Sequence, residues 1–344
     1  MDMNALYGLF LVCALALVAL MGVGGAGLTG LFGIAIPYVA VAVFIVGFAM
    51  KIFDWAKSPV PFRIPTTAGQ QKSLDWIPYN RFDNPVNNRD TVVRMILEVV
   101  TFRSLFRNTS AHLGKNPQGG PQVAYFSEKW LWLAAILFHY SFLTILIRHM
   151  RFFTEPVPWL FQKLDWADSV LQIGQPALYQ TDLLIMAGLL WLLARRIFYP
   201  RIRYLSNAAD YFALFLILGI VISGIYMRYV AHVDIVAIKQ YSMSLVMFSP
   251  TIPETISPAF FVHFFLVCVL LIYFPFSKLM HLGGVFLSPT RNLPNDTRIN
   301  HHENPWNPKI KPHSYEAYED DFREAMVEAG LPVVKQPDEA GAEK

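Results

Sequence analysis

Residues 3–50 contain no Asp, Glu, Lys or Arg. A bilayer crossing takes about 20 apolar residues, so this stretch is long enough for two membrane helices. Gly22-Val23-Gly24-Gly25-Ala26-Gly27 supplies the turn between them. The chain opens Met-Asp-Met-Asn, without the basic start of a secretory signal, so the first segment is expected to stay as a span. Four further apolar stretches lie at 128–151, 181–199, 208–230 and 257–281. The expected fold is therefore all-α, a polytopic six-helix transmembrane bundle. It divides into two N-terminal helices (1–53), a polar loop rich in Pro, Asn and Gln (54–127), a four-helix core (128–282) and a polar C-terminal tail (283–344). Charged residues make up 15% of the chain, against about 25% in soluble domains. A net charge of +3 gives no reason to expect nucleic acid as a partner.

Lys and Arg orient such a bundle, because basic loops stay on the cytoplasmic side. Eleven fall in 51–129, four in the short connection Arg195, Arg196, Arg201 and Arg203, and eight from Lys278 onward. The other two connections hold Arg148, Arg151 and Lys163, then Arg228 and Lys239. Alternate sides thus carry 23 against 5. The long loop, the short basic loop and both termini are predicted to face the cytoplasm, with the chain in the cytoplasmic (inner) membrane.

Of nine histidines, His112, His232, His301, His302 and His313 fall outside the apolar stretches. The other four sit two per span: His139 and His149 in the third, His263 and His281 in the sixth. Polar residues at this depth are costly and mark function. Ten residues separate the first two, which returns to nearly the same helix face about 15 Å further along. Eighteen separate the second two, five turns and about 27 Å on an unbroken helix. The two spans run antiparallel, so His149 pairs with His263 at one depth and His139 with His281 at the other. Each pair can clamp one haem iron from both sides, which predicts two b-type haems that carry electrons. The unequal rises, 15 Å against 27 Å, require tilt or a kink at Pro275. A four-ligand zinc centre does not suit two pairs so far apart. Cys13 and Cys268 are isolated in apolar runs, no C-x-x-C-H occurs, and no cysteine cluster is available for iron–sulfur ligation. A transporter would need ionisable residues on several spans or broken inverted repeats, and neither is evident.

Two soluble segments carry helical patterns. Residues 91–107 place Val92, Val93, Ile96, Leu97, Val100 and Phe106 beside Arg94, Arg103 and Arg107, as in a helix lying on anionic lipid or docking a soluble subunit. In the tail, Ser314 is placed to cap a helix that runs to Ala329 and stops at Gly330 and Pro332.

The ten- and eighteen-residue histidine spacings on antiparallel spans resemble the gamma (cytochrome b) subunit of respiratory nitrate reductase. A closer resemblance, across most of the chain, is to the DsrM family, the cytochrome b subunit of the dissimilatory-sulfite-reductase-associated complex DsrMKJOP. It rests on Ser58-Pro59-Val60-Pro61-Phe62-Arg63-Ile64-Pro65-Thr66-Thr67 with Gly69-Gln70-Gln71, on Phe102-Arg103-Ser104-Leu105-Phe106-Arg107-Asn108, and on Arg148-His149-Met150-Arg151-Phe152-Phe153. The resemblance implies two haem b groups, with His139, His149, His263 and His281 as axial ligands. It implies menaquinol (the reduced form of menaquinone) as substrate. Its partners would be a cytoplasmic iron–sulfur subunit of the DsrK kind and the other DsrMKJOP subunits, in sulfate or sulfite respiration. Such a chain is an electron-transfer subunit of a quinol-oxidising complex, without a sulfur-chemistry site of its own. A subunit of a nitrate reductase or heterodisulfide reductase complex is the alternative. A quinol pocket is expected beside the outer pair, His149 and His263, since entry there uses both haems. Candidate residues at that level are Glu155, Gln175, Tyr179, Asp182 and Glu254, with Arg151 and Arg228 for haem propionates. Asp182 opens the fourth span, where a carboxylate is costly without a role, and is the first choice as proton acceptor.

Overall fold

A computed structural model describes residues 3–59, 69–169, 177–300, 306, 309 and 311–335. The first apolar stretch forms α1 (Met3–Gly24), and the second a π-helical turn at Leu31–Ala35 that leads into α2 (Ile36–Ala56). Between them Gly27 adopts φ +65°, a left-handed conformation that glycine takes without steric cost. The third stretch is α5 (Lys129–His149), the fourth α7 (Gln180–Phe198), the fifth α9 (Ala208–Tyr229) and the sixth begins as α11 (Pro258–Tyr273). Five of these are long and apolar enough to cross a membrane, which makes the architecture that of a polytopic membrane protein. Helix α7 is the exception: its 19 residues include Asp182, Arg195 and Arg196 near its ends, which shorten its apolar stretch.

Packing follows chain order only in part. Helix α5 lies on α7, α7 on α9, α9 on α1 and α11, and α11 on α1 and α2. One core joins Ala5, Val12, Tyr211, Leu216 and Leu266. A second sets Ile185, Leu189 and Ile217 against Phe138, Phe142 and Ile145 of α5. Small residues permit the closest crossings, as in other membrane bundles. A Cβ on Gly188 would stand 3.0 Å from the backbone nitrogen of Phe138 on α5.

Two expectations about secondary structure need correction, and one element was not expected. In the otherwise helical fold, Thr109–Lys115 (β1) and Pro121–Ser127 (β2) form an antiparallel hairpin. Its connection is Asn116-Pro117-Gln118-Gly119-Gly120, in which Gly119 has φ +83° and the Asn116 side chain accepts from the Gln118 and Gly120 amides; this is turn chemistry. The helix expected over 91–107 is two helices, α3 (Asn88–Thr101) and α4 (Arg103–Phe106). They are broken at Phe102, whose φ of +50° a bulky side chain seldom adopts. The span expected over 257–281 stops at Tyr273. Pro275 removes a helical donor, and Ser277 is fully extended at φ −121°, ψ 174°, before the chain re-enters helix at α12 (His281–Leu287) and α13 (Pro289–Asn292). His263 and His281 therefore stand on separate helices, and the five-turn rise of 27 Å does not apply.

The connections hold further helices with no counterpart in the sequence reading: α6 (Trp159–Asp168), α8 (Pro200–Leu205) and α10 (Ile235–Val246). Tyr241 of α10 is fully buried and donates its hydroxyl to the Gly33 carbonyl, tying the α9–α11 connection to the start of α2. Residues from Ile299 onward form a second compact unit. Within it α14 spans Tyr315–Glu328, with the Ser314 side chain accepting from the Ala317 amide and Gly330 at φ +70° just past its end.

Candidate functional site: two histidine pairs and a buried ionic layer

The four span histidines come together as two pairs. The ring centres of His139 and His281 are 6.0 Å apart, and those of His149 and His263 are 6.4 Å apart. Helix α5 carries one member of each pair, α11 carries His263, and the break after Tyr273 brings His281 opposite His139.

Every one of these rings is anchored through Nδ1. His139 Nδ1 lies 2.7 Å from the Ala135 carbonyl, His149 Nδ1 2.7 Å from that of Ile145, and His281 Nδ1 2.8 Å from that of Lys278. His263 Nδ1 lies 3.1 Å from the Ile220 carbonyl and 3.0 Å from Ser223 Oγ. A carbonyl accepts only, so Nδ1 is the protonated nitrogen and Nε2 keeps its lone pair. This tautomer is the one metal-bound histidines adopt, the backbone acceptor holding the ring in place. Two imidazoles on opposite sides of one metal, each with a metal–nitrogen bond of about 2 Å, put their ring centres roughly 6 Å apart. Gly224 leaves room beside His263, where an added Cβ would stand 3.3 Å from its Cε1. Four residues on, Arg228 has a buried Nε with no hydrogen-bond partner among the described residues, a donor suited to an anionic side arm. The donor set and its spacing fit a bis-histidine haem at each pair, and the unpartnered Nε of Arg228 adds a donor beside the His149–His263 pair.

Beside His149 lies a layer of buried charge. Arg148 Nη1 is 2.8 Å from Asp168 Oδ2, with side chains only 7% and 3% exposed, and Arg148 Nη2 is 3.9 Å from Asp182 Oδ1. Asp168 also accepts from the Thr181 amide at 2.9 Å and the Thr181 hydroxyl at 2.6 Å. Tyr229 donates to Asp182 at 2.8 Å and accepts from the Tyr179 amide at 3.0 Å. The Tyr179 ring lies between Arg148 and Arg228, whose guanidinium carbons are 3.6 Å and 3.8 Å from its centre, at cation–π distance. Its hydroxyl donates to Asp165 at 2.7 Å, and Arg151 donates to the same oxygen at 2.8 Å.

This layer opens on a cavity of about 1070 Å³. Among the described residues its polar wall includes Arg151, Asp165, Tyr179 and Arg228, and its apolar wall Phe152, Phe161 and Met243. Phe152 has its ring centre 5.9 Å from that of His149.

The sequence candidates are thus partly gathered. Tyr179, Arg151, Arg228 and Asp182 belong to one network, although Asp182 stands behind the cavity wall. Glu155 lines the cavity, where Lys239 pairs with it. Glu254 is exposed in the turn before α11, away from the network. Gln175 lies outside the described residues, as do His301, His302 and positions 60–67 of the proline-rich motif. Sequence reasoning missed Arg148, Asp165 and Asp168. A signal was present: Arg148 and Arg151, three apart, face Asp165 and Asp168, also three apart, and the pairs form in antiparallel order.

A family model described as the nitrate reductase gamma subunit matches residues 97–296, which include all four histidines and this network. The chain belongs to that family. Two curated relatives are each described as an Hdr-like menaquinol oxidoreductase cytochrome b-like subunit. That of Archaeoglobus fulgidus is 48% identical over 289 residues, covering 82% of this chain and 85% of that protein. That of Archaeoglobus profundus is 42% identical over 283 residues, covering 80% and 82%. These similarities are consistent with a DsrM-type cytochrome b.

The Arg148–Asp168 pair gives a test of the ionic layer. Removing one partner of a buried pair leaves an uncompensated charge and costs about 3–5 kcal/mol. Asp168→Asn is expected to destabilise the purified protein by that order in detergent unfolding, and Arg148→Met combined with Asp168→Leu to regain most of it. A single substitution without effect would remove the pair from the structural core.

Proposed function

We propose that this chain is a dihaem cytochrome b that oxidises menaquinol and passes electrons across the bilayer to an iron–sulfur subunit. The observation that carries the reading is the pair of histidine couples, each ring tethered through Nδ1 and each Nε2 left for a metal. In this reading α7 also crosses the membrane, which makes six spans, its charged ends reaching the two interfaces. The basic loops and both termini face the cytoplasm, which puts His149 and His263 on the outer side and His139 and His281 on the inner side. A haem with two protein ligands changes its oxidation state without offering an open coordination position.

Menaquinol enters the cavity beside the outer pair. Asp165 accepts from Arg151 and Tyr179 and serves as a hydrogen-bond acceptor that orients the quinol hydroxyl. Asp182 stands 3.9 Å from its nearest guanidinium nitrogen and is the freer base, with the Tyr229 hydroxyl donating to it from the Tyr179 side. Asp182 therefore takes the proton. Arg151 and Arg228 are placed for the propionates of the outer haem.

The electron acceptor docks on the inner side, against the long loop, the short basic loop and the tail. The curated relatives are named as subunits of Hdr-like menaquinol oxidoreductases, and for this chain the partner proposed is an iron–sulfur subunit. This agrees with a DsrK-like subunit in sulfate or sulfite respiration better than with a nitrate reductase.

Three outcomes test this. Wild type is expected to hold two haems. His149→Ala and His263→Ala should each lose the same one and keep the other, measured as haem stoichiometry and by reduced-minus-oxidised spectra. Loss of a shared haem by the His149 and His281 variants would break the pairing. Asp182→Asn should slow haem reduction by a menaquinol analogue about 100-fold; unchanged reduction, with an inhibitor mapping beside His139 and His281, would move the quinol site inward. Crosslinking should join the iron–sulfur partner to the long loop or the 195–206 connection, and a partner found only on the opposite face would refute the assigned exit.

A further inference from the structure

Arg94 is the charged residue that the proposed mechanism leaves unexplained. It lies in the middle of α3, outside the spans, yet is only 7% exposed, and its Nη1 is buried without a hydrogen-bond partner among the described residues. The acids four residues to either side are already engaged, Asp90 by Arg81 at 2.8 Å. Glu98 Oε1 takes Arg291 at 2.7 Å, and Glu98 Oε2 accepts from the Ser104 hydroxyl at 2.6 Å and the Ser104 amide at 3.0 Å. Arg291 itself is a second cation beside Arg94; together with burial it pushes the Arg94 pKa down, against a smaller opposing pull from Glu98. A buried guanidinium beside a like charge, with a free donor, is a costly arrangement unless an anion completes it.

The helix contacts indicate where that anion sits. The far end of α3 is fixed to α5 around His139. Tyr140 donates to the Val100 carbonyl at 2.7 Å, Trp132 to that of Thr101 at 2.7 Å, and the Phe102 ring stands edge-on to His139 with centres 5.0 Å apart. Arg94 is eight residues before Phe102, about 12 Å along the helix. From the other side α3 packs on α13, which follows directly from α12, the helix that His281 opens. Arg94 therefore lies between the segment that carries His139 and the segment that carries His281.

We infer that Arg94 binds a propionate carboxylate of the inner haem, the one assigned to His139 and His281. Guanidinium and carboxylate match as a two-pronged, charge-assisted pair. The inference rests on the dihaem reading of this chain. It also gives the break at Phe102 a purpose, since that turn brings Phe102 against His139 and fixes this end of the helix that carries Arg94.

The test is a redox titration of the purified protein, followed in the visible spectrum. His281→Ala identifies which spectral component is the inner haem. Arg94→Gln removes a positive charge next to that haem and should favour its ferric form at least tenfold. For a one-electron couple this lowers its midpoint potential by about 59 mV, with the outer haem unmoved. Arg94→Lys keeps the charge but loses the fork, and should shift the same component less; if the Gln variant does not accumulate, a downward shift in the Lys variant supports the assignment. Two unshifted potentials in Arg94→Gln would overturn the inference, as would a shift confined to the outer haem. So would unshifted potentials with loss of co-purified anionic phospholipid, which would assign the guanidinium to a lipid phosphate. Wild type without two haems would instead overturn the dihaem reading itself.

Discussion

An imidazole inside an apolar helix must satisfy its N–H without water, and the four histidines do so in one way. Each gives Nδ1 to a carbonyl of the bundle, for His139 and His149 the carbonyl one turn back on their own helix. That bond fixes the tautomer, the ring direction and the position of the free Nε2 together. It also sets demands on the neighbours. Helix α5 has to be regular through both Ala135 and Ile145. Helix α9 has to approach α11 closely enough for Ile220 and Ser223 to reach His263, with Gly224 small enough to allow it. The chain after Tyr273 has to turn so that Lys278 offers its carbonyl to His281.

Charge is confined to two layers, one at each end of the bundle. At the His149 end, Arg148, Arg151, Arg228, Asp165, Asp168 and Asp182 interlock around Tyr179. At the other end, Asp210 at the start of α9 takes Lys278 at 2.8 Å and Arg196 at 3.6 Å, joining the ends of α7 and α9 to the break that precedes His281. Between the layers the helices meet through apolar cores and close glycine contacts. The same polar layers that close the bundle thus stand beside the two histidine pairs. A buried ion pair contributes little net stability, because desolvation offsets its Coulomb attraction. Its effect here is directional: Arg148 and Asp168 hold α6 against the end of α5 and so shape the cavity wall.

The sequence carried the histidine pairs, the apolar stretches and the Ser314 cap, since each depends on local spacing or on a residue type that is costly where it stands. It did not carry the hairpin at 109–127, because two short strands of mixed polarity have no periodicity that separates them from loop. Nor did it carry the break at Phe102. The helical pattern runs on through Arg103–Phe106, and a positive φ at a phenylalanine is imposed by contacts with His139 and α5 that no local window contains. The sixth span shows the intermediate case. Pro275 was visible as a possible kink, but whether it bends a helix or ends it depends on Ser277 and on where Asp210 holds Lys278. The ending is what removes the conflict between rises of about 15 Å and 27 Å. Asp165 and Asp168 were overlooked for a different reason: their meaning appears only when they are matched to Arg148 and Arg151 at the same spacing.

The proposed direction of electron flow follows from the asymmetry of the two ends. The His149 end has a sizeable cavity whose polar wall holds both acids and arginines, so a neutral two-proton donor has hydrogen-bond partners on entry, with Asp182 behind the wall as the proposed base. The His139 end has acids too, but Asp210 is taken by Lys278 and Arg196, and Glu98 by Arg291. Its neighbours are Phe102, Phe138 and, by our inference, the guanidinium of Arg94, which can hold a carboxylate but cannot take up a proton. In the proposed scheme protons are released at the first end, and electrons that leave by the second leave without them. If the basic loops face the cytoplasm, the two ends lie on opposite sides of the membrane, and oxidation of each quinol separates charge across it. In the proposed scheme the separation follows from placing the quinol cavity, with its acids and arginines, beside one histidine pair and the electron exit beside the other.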